Sequence, residues 1–189
     1  MRKLTHEEIA SKRYSPDQLK SEPRFPISLL LDNIRSLYNV GSIFRSADGA
    51  RIAKIYLTGY TPCPPRSEIE KTALGSTLTV PWEYIKSADE AVERIKADNM
   101  RLCVLEHTDE SRPSYSLRTD LFPLCLVVGN ELTGISKQVM GRADVAVDIP
   151  MYGMKQSLNV AVATGIALFD FVRILHDGQR AASTHATSP

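Results

Sequence analysis

Short apolar runs alternate with stretches of helical period along most of this chain. Ser28–Asp32, Ala53–Leu57, Arg101–Glu106, Leu124–Val128 and Val145–Ile149 are brief, rich in leucine, isoleucine and valine, and closed by glycine, proline or a polar residue. That is the signature of strands buried on both faces. Trp82–Ile85 reads as a shorter strand with its indole in the core. Between them, Val40, Ile43, Phe44, Ala47 and Ala50 fall on one face of a helix that Asn39 is placed to cap. Ala88, Ala91, Val92 and Ile95 do the same in a helix opened by Ser87, with Glu90 completing a capping box. Ser136 is placed to cap a short helix ending near Gly141, and Ser157 to open a long one reaching about Leu175 and stopping before Gly178. Thr5 and Glu8 form a further capping box for a short helix over residues 5–13. Strands alternating with helices predict an α/β fold, a mostly parallel sheet with helices on both faces. Thr58–Pro81, with Pro62, Pro64 and Pro65, reads as a long loop of functional kind. Ser111–Phe122 reads as connecting chain with one helical turn. The pattern divides the chain into a polar arm, 1–26, a domain, 27–176, and a flexible tail, 177–189.

The chain has 189 residues, 43% of them apolar, and a net charge of +1, which suits one domain with a full core. At near neutrality, any contact with nucleic acid must come from a local basic patch. Three cysteines cannot all pair within the chain, and Cys103 and Cys125 fall in buried strands. They read as core thiols of a reducing compartment. Met1–Lys20 lacks the apolar stretch of a signal peptide, and Asn159, Asp170 and Arg173 interrupt the last helix too often for a membrane span. The expectation is a soluble cytoplasmic protein.

The candidate chemistry lies in two polar loops that directly follow buried strands, where open α/β sheets place ligands. The first, Gly129–Gly134, reads G-N-E-L-T-G. Ile135 stands where a phosphate-binding loop needs lysine, and Glu131 would repel phosphate, which argues against a nucleotide triphosphatase. The dinucleotide fingerprint G-x-G-x-x-G is absent, which argues against a nicotinamide enzyme. The second loop joins Ile149 to Ser157. On the first long helix Arg45 faces away from the apolar side, with Asp48 available three residues on as an ion-pair partner. Gly41 lies one turn earlier on Arg45's side and leaves room for a close neighbour. His107 has no partner at metal-ligand spacing, and no metal cluster is visible.

Three motifs carry a family resemblance. V-V-G-N-E-L-T-G (127–134) and I-P-M-Y-G-M-K-Q-S-L-N-V-A-V-A (149–163) resemble the second and third motifs of the SpoU (TrmH-like) branch of the SPOUT RNA methyltransferases, and N-V-G-S-I-F-R (39–45) resembles the first. They occur in family order over roughly residues 27–176. The resemblance implies methyl transfer from S-adenosylmethionine to a ribose 2′-hydroxyl of tRNA or rRNA, without a metal, by a chain whose C-terminal part is tied in a trefoil knot. It implies Asn39, Arg45, Glu131, Ser157 and Asn159 as catalytic residues, and Leu105, Glu106, Gly129, Ile149, Met151 and Leu158 around the cofactor. Ser157 and Asn159 also serve as plain helix-start residues, and Ile149 and Leu158 as plain core. Arg45 is expected to meet substrate RNA, with Arg66, Lys71 and Ser76 of the long loop as further contacts. The last helix, apolar nearly all round, needs cover on the side the sheet does not reach, and a homodimer through it is expected. The remaining readings are a catalytically silent RNA-binding or assembly protein of this fold and a base-modifying relative.

Overall fold

The computed structural model describes residues 1–11, 14, 18–19 and 22–185, with backbone alone for 181–185. Seven strands form one all-parallel sheet in the order β3-β2-β1-β6-β4-β7-β5. They are β1 (Phe25–Asp32), β2 (Ile52–Thr58), β3 (Trp82–Ile85), β4 (Arg101–Leu105), β5 (Arg112–Pro113), β6 (Leu124–Gly129) and β7 (Val145–Asp148). Helices bounded within the described residues are α1 (His6–Ala10), α2 (Leu37–Gly49), α3 (Ser67–Ala73), α4 (Ala88–Ala97), α5 (Lys137–Met140) and α6 (Val160–His185).

The period of two along a strand sends alternate residues to opposite faces. In β1, Ile27, Leu29 and Leu31 join one core while Leu30 joins the other; in β6, Leu124, Leu126 and Val128 part from Cys125 and Val127 in the same way. Both faces being apolar, both must be covered. Phe44 and Ala47 of α2 and Leu168 and Phe171 of α6 pack on the first, and Ala91, Val92 and Ile95 of α4 with Val139 of α5 on the second. Trp82 packs partly buried against the first core, edge-on to Phe44. The predicted α/β class and two-sided cover are present.

Several local expectations are corrected. Ser36, not Asn39, caps α2, its Oγ accepting the Asn39 N–H at 3.3 Å. Either residue type serves as a cap, and the helix starts earlier than the apolar period suggested. Likewise Asn159, not Ser157, caps α6, its Oδ1 accepting the N–H groups of Ala161 at 2.9 Å and Val162 at 3.4 Å. Helix α6 runs through Gly178 to His185, past the end expected near Leu175; 186–189 lie outside the described residues. Gly178 is explained by packing, because a Cβ there would stand 2.6 Å from Thr119 Cγ2. The 58–81 loop contains α3 and a 3₁₀ turn over Ser76–Leu78. Ser87 caps α4 as expected, but the Glu90 carboxylate binds Arg94 at 2.7 Å. The Thr5/Glu8 capping box is complete, although α1 ends at Ala10; the expected end at Arg13 lies outside the described residues.

One close approach anticipated from the sequence is present. Gly41 of α2 lies against α3, where a Cβ would collide with the Ile69 carbonyl and Thr72 Oγ1.

Candidate active site

Parallel strands deliver all their carboxyl ends to one edge of the sheet. At that edge β4, β6 and β7 end in Leu105, Gly129 and Asp148, and a cleft of about 360 Å³ opens beyond them. All six residues expected around a cofactor line it: Leu105, Glu106, Gly129, Ile149, Met151 and Leu158. Glu131, Ser157 and Asn159 line it too. Asn39 lies in an adjoining groove with Arg35, Ser36, Glu131 and Leu132.

Two glycines shape the cleft wall. The turn after β6 folds back on itself, with the Asn130 N–H bonded to the Gly134 carbonyl at 3.1 Å and the Gly134 N–H to the Asn130 carbonyl at 2.9 Å. A Cβ on Gly129 would collide with the Gly134–Ile135 backbone, and Gly134 itself has φ +69°. Asn130, buried, secures the turn from within. Its Oδ1 accepts the N–H groups of Leu132 at 2.9 Å and Thr133 at 3.0 Å, and its Nδ2 donates to the Asn33 carbonyl at 2.9 Å and Tyr60 Oη at 2.8 Å. Fully buried Asp32, at the end of β1, accepts the Ser136 N–H at 2.8 Å and ties the far end of the turn to the sheet. Sequence reading passed over both; a polar residue closing an apolar strand was the available signal.

The polar residues of the three motifs converge. Glu131 accepts from Asn39 Nδ2 at 2.8 Å, from the Arg35 N–H at 2.9 Å and from the Ser36 N–H at 3.1 Å. Asn39 Oδ1 in turn accepts from Asn159 Nδ2 at 3.1 Å. The displaced cap makes this possible, since Asn39 one turn inside α2 has its side chain free. Burial pushes the Glu131 carboxyl up, but the bonds from Arg35, Asn39 and Ser36 outweigh it and hold the group below the usual carboxylate range.

The remaining expected residues stand apart. Arg45 is exposed on α2, outside the cleft lining and without a bonded partner among the described residues. It pairs neither with Glu131 nor with Asp48, whose Oδ1 accepts from Thr79 Oγ at 2.5 Å. Ser157 is exposed at the cleft without a bonded partner among the described residues. Arg66 and Lys71 are exposed at either end of α3. Ser76, expected to meet RNA, is buried, and its hydroxyl donates inward to the Ala73 carbonyl at 2.7 Å. His107 bridges the two cleft walls, its Nε2 lying 3.1 Å from the Gln156 carbonyl oxygen.

The cleft and its residues fit a nucleoside-bearing ligand. Its volume falls within the roughly 300–1,000 Å³ of small-molecule sites. Leu105, Ile149, Met151 and Leu158 line it with apolar surface, beside residues of the Gly129–Gly134 turn. Among the described residues, no three His, Cys, Asp or Glu side chains are grouped to hold a metal ion, and no helix is long and apolar enough to cross a membrane.

Comparison with known proteins agrees with this geometry. The tRNA (guanosine(18)-2′-O)-methyltransferase of Aquifex aeolicus is 35% identical over 147 residues, 75% of this chain and 66% of that protein. The solved A. aeolicus TrmH/SpoU tRNA modifying enzyme superposes with a TM-score of 0.77 at 29% identity, covering 87% of this chain and 84% of that one. An AdoMet-bound rRNA methyltransferase from Sinorhizobium meliloti gives 0.74 at 29% identity, covering 85% and 61%. The chain spans just under two thirds of the length of the curated relatives it matches. The profile of the SpoU rRNA Methylase family matches residues 26–169, a span that holds all three motifs and both walls of the cleft. On that match, the chain belongs to the SpoU rRNA Methylase family.

Proposed function

We propose that this chain is an RNA 2′-O-ribose methyltransferase that takes its methyl group from S-adenosylmethionine and modifies tRNA or rRNA. The observation that carries the reading is the Glu131–Asn39–Asn159 hydrogen-bond chain, which draws one residue from each motif to the rim of a nucleoside-sized cleft. Membership of the family and the AdoMet-bound relative support the cofactor.

When bound, the cofactor supplies an electrophilic methyl group on a sulfonium. The chain's residues do the rest by holding and by charge. Leu105, Ile149, Met151 and Leu158 form the walls, and Gly129 lets the Gly134–Ile135 backbone of the turn close against it. Glu131 fixes the Arg35–Ser36 loop and Asn39; Asn39 fixes Asn159. A guanidinium with a pKa above about 12 is a poor base, so Arg45 acts by orienting an RNA phosphate and stabilising the developing alkoxide. Arg66 and Lys71 extend its positive surface toward RNA.

Residues 27–176 form the methyltransferase domain in this reading, with the C-terminal third threaded as a trefoil knot. The strand order supports the threading, with β6 between β1 and β4 and with β7 beyond β4. The unpaired state of Cys63, Cys103 and Cys125 supports a reducing, cytoplasmic setting. Burial pushes the Cys103 thiol up to about 12 and so keeps it unreactive. A homodimer through α6 is supported by its outer stripe: Val162 is 52%, Ile166 40% and Phe169 52% exposed. Val162→Glu is expected to convert a dimer to a monomer in light scattering, and a wild-type chain that is monomeric across micromolar concentrations would sink this assembly.

The decisive experiment is methyl transfer from labelled S-adenosylmethionine to bulk tRNA and to rRNA from cells lacking the gene, followed by nucleoside analysis. Label in a 2′-O-methylnucleoside is expected. Label in a base would favour a base-modifying enzyme, and no transfer to either RNA would favour a silent RNA-binding protein.

A further inference from the structure

The cleft has a lopsided charge. Glu106, Glu131 and Asp148 line it, with His107 beside them, and neither lysine nor arginine does so among the described residues. Two of these carboxylates are engaged. Glu131 is held by the bonds described above. Asp148 Oδ2 accepts from Ser111 Oγ at 2.8 Å and lies 3.7 Å from His107 Nδ1. Glu106 differs: Oε1 accepts the His107 N–H at 3.2 Å, while Oε2 is bonded to no protein donor among the described residues. Oε2 lies 2.6 Å from where a Cβ on Gly134 would stand, so this glycine gives the carboxylate its place in the cleft.

The proposed cofactor changes charge during its reaction. Before transfer it carries a sulfonium, an ammonium and a carboxylate, one net positive charge at neutral pH. Transfer to the ribose oxygen breaks the carbon–sulfur bond, returns its electron pair to sulfur and sends the hydroxyl proton to solvent, leaving a product with no net charge. Size and hydrogen-bonding groups barely differ between the two, so an apolar pocket alone would hold them about equally. We propose that Glu106 makes the cleft discriminate by charge, retaining S-adenosylmethionine and releasing S-adenosylhomocysteine. The inference rests on the cofactor assignment above. A half-exposed carboxylate close to a cation supports roughly a tenfold preference once water and salt screen it.

The test is calorimetric binding of the full chain to three ligands: S-adenosylmethionine, S-adenosylhomocysteine, and the analogue with an amine-bearing carbon in place of the methylsulfonium. Both cationic ligands are expected to bind about tenfold more tightly than S-adenosylhomocysteine at low salt, a gap that narrows as salt rises. Glu106→Gln should weaken the cationic ligands and leave S-adenosylhomocysteine within about twofold, and Asp148→Asn should act in the same direction less strongly. Equal wild-type affinities, a preference that Glu106→Gln leaves intact, or equal weakening of all three would overturn the proposal. No binding of any ligand would overturn the cofactor assignment, and this inference with it.

Discussion

Glu131→Gln keeps the size of the side chain and removes its charge, so it isolates what this carboxylate does. The native oxygens accept three bonds, from Arg35 N, Ser36 N and Asn39 Nδ2. An amide offers one acceptor oxygen and turns two donors toward donors, so part of the set must be lost. Charge-assisted bonds are worth about 1.5–3 kcal/mol each net. Glu131 is exposed, and water replaces much of that, leaving an expected loss of about 1–2 kcal/mol. At this chain length that lowers Tm by about 2–8 °C. Turnover should fall further, by about 10- to 100-fold, because Asn39 and through it Asn159 lose their anchor. The assays are thermal denaturation and steady-state methyl transfer measured across pH. A carboxyl held below its usual range is a feeble proton acceptor at neutral pH, so the variant should lower the pH–rate profile without changing its shape. Wild-type turnover and Tm would refute the anchoring role. Loss of the acidic limb of the profile would refute it differently, by making Glu131 the base.

Other outcomes follow from the same geometry. Arg45→Ala should cost about 100-fold or more in turnover while Tm stays within about 1 °C, since the exposed side chain has no bonded partner among the described residues. Gly41→Ala should destabilise by about 3 kcal/mol, seen as a lower denaturant midpoint at unchanged slope, because the new methyl meets backbone of α3. Since folding lowers the Glu131 pKa, the anchor's stabilisation is complete above the ordinary value near 4.3 and fades as pH falls through the lower folded value. The amide resonances of Arg35 and Ser36 should therefore titrate with a midpoint below about 4.3.

The central strands and main helices were readable because β1, β4 and β6 are largely apolar runs and the main helices keep an apolar face, patterns that are local; the two-residue β5, Arg112–Pro113, carries no such run and was read as connecting chain. The cleft lining was readable only through the family resemblance: Leu105, Gly129, Ile149 and Leu158 alone look like ordinary core. What escaped is of two kinds. Some of it is local but ambiguous. Ser36 and Asn39 are both good caps, S-E-I-E-K-T-A hides a short helix among prolines, and Gly178 looks like a helix stop while its real constraint is Thr119 across space. The rest is distant in sequence. No spacing rule announces that the Glu131 carboxylate binds the Arg35 and Ser36 amides, 96 and 95 positions away.

The Asn39–Asn159 bond joins residues 120 positions apart, and its second partner sits at the start of the last helix. During synthesis the helix bearing the first motif, α2, emerges early, but the site stays open until the start of α6 has emerged and docked. A chain stopped before α6 therefore keeps the bonds from Arg35, Ser36 and Asn39 to Glu131 and lacks the Asn159 link and the wall that follows it. The hydrogen-bond chain is therefore complete only once a segment far along the sequence has folded back onto the first long helix.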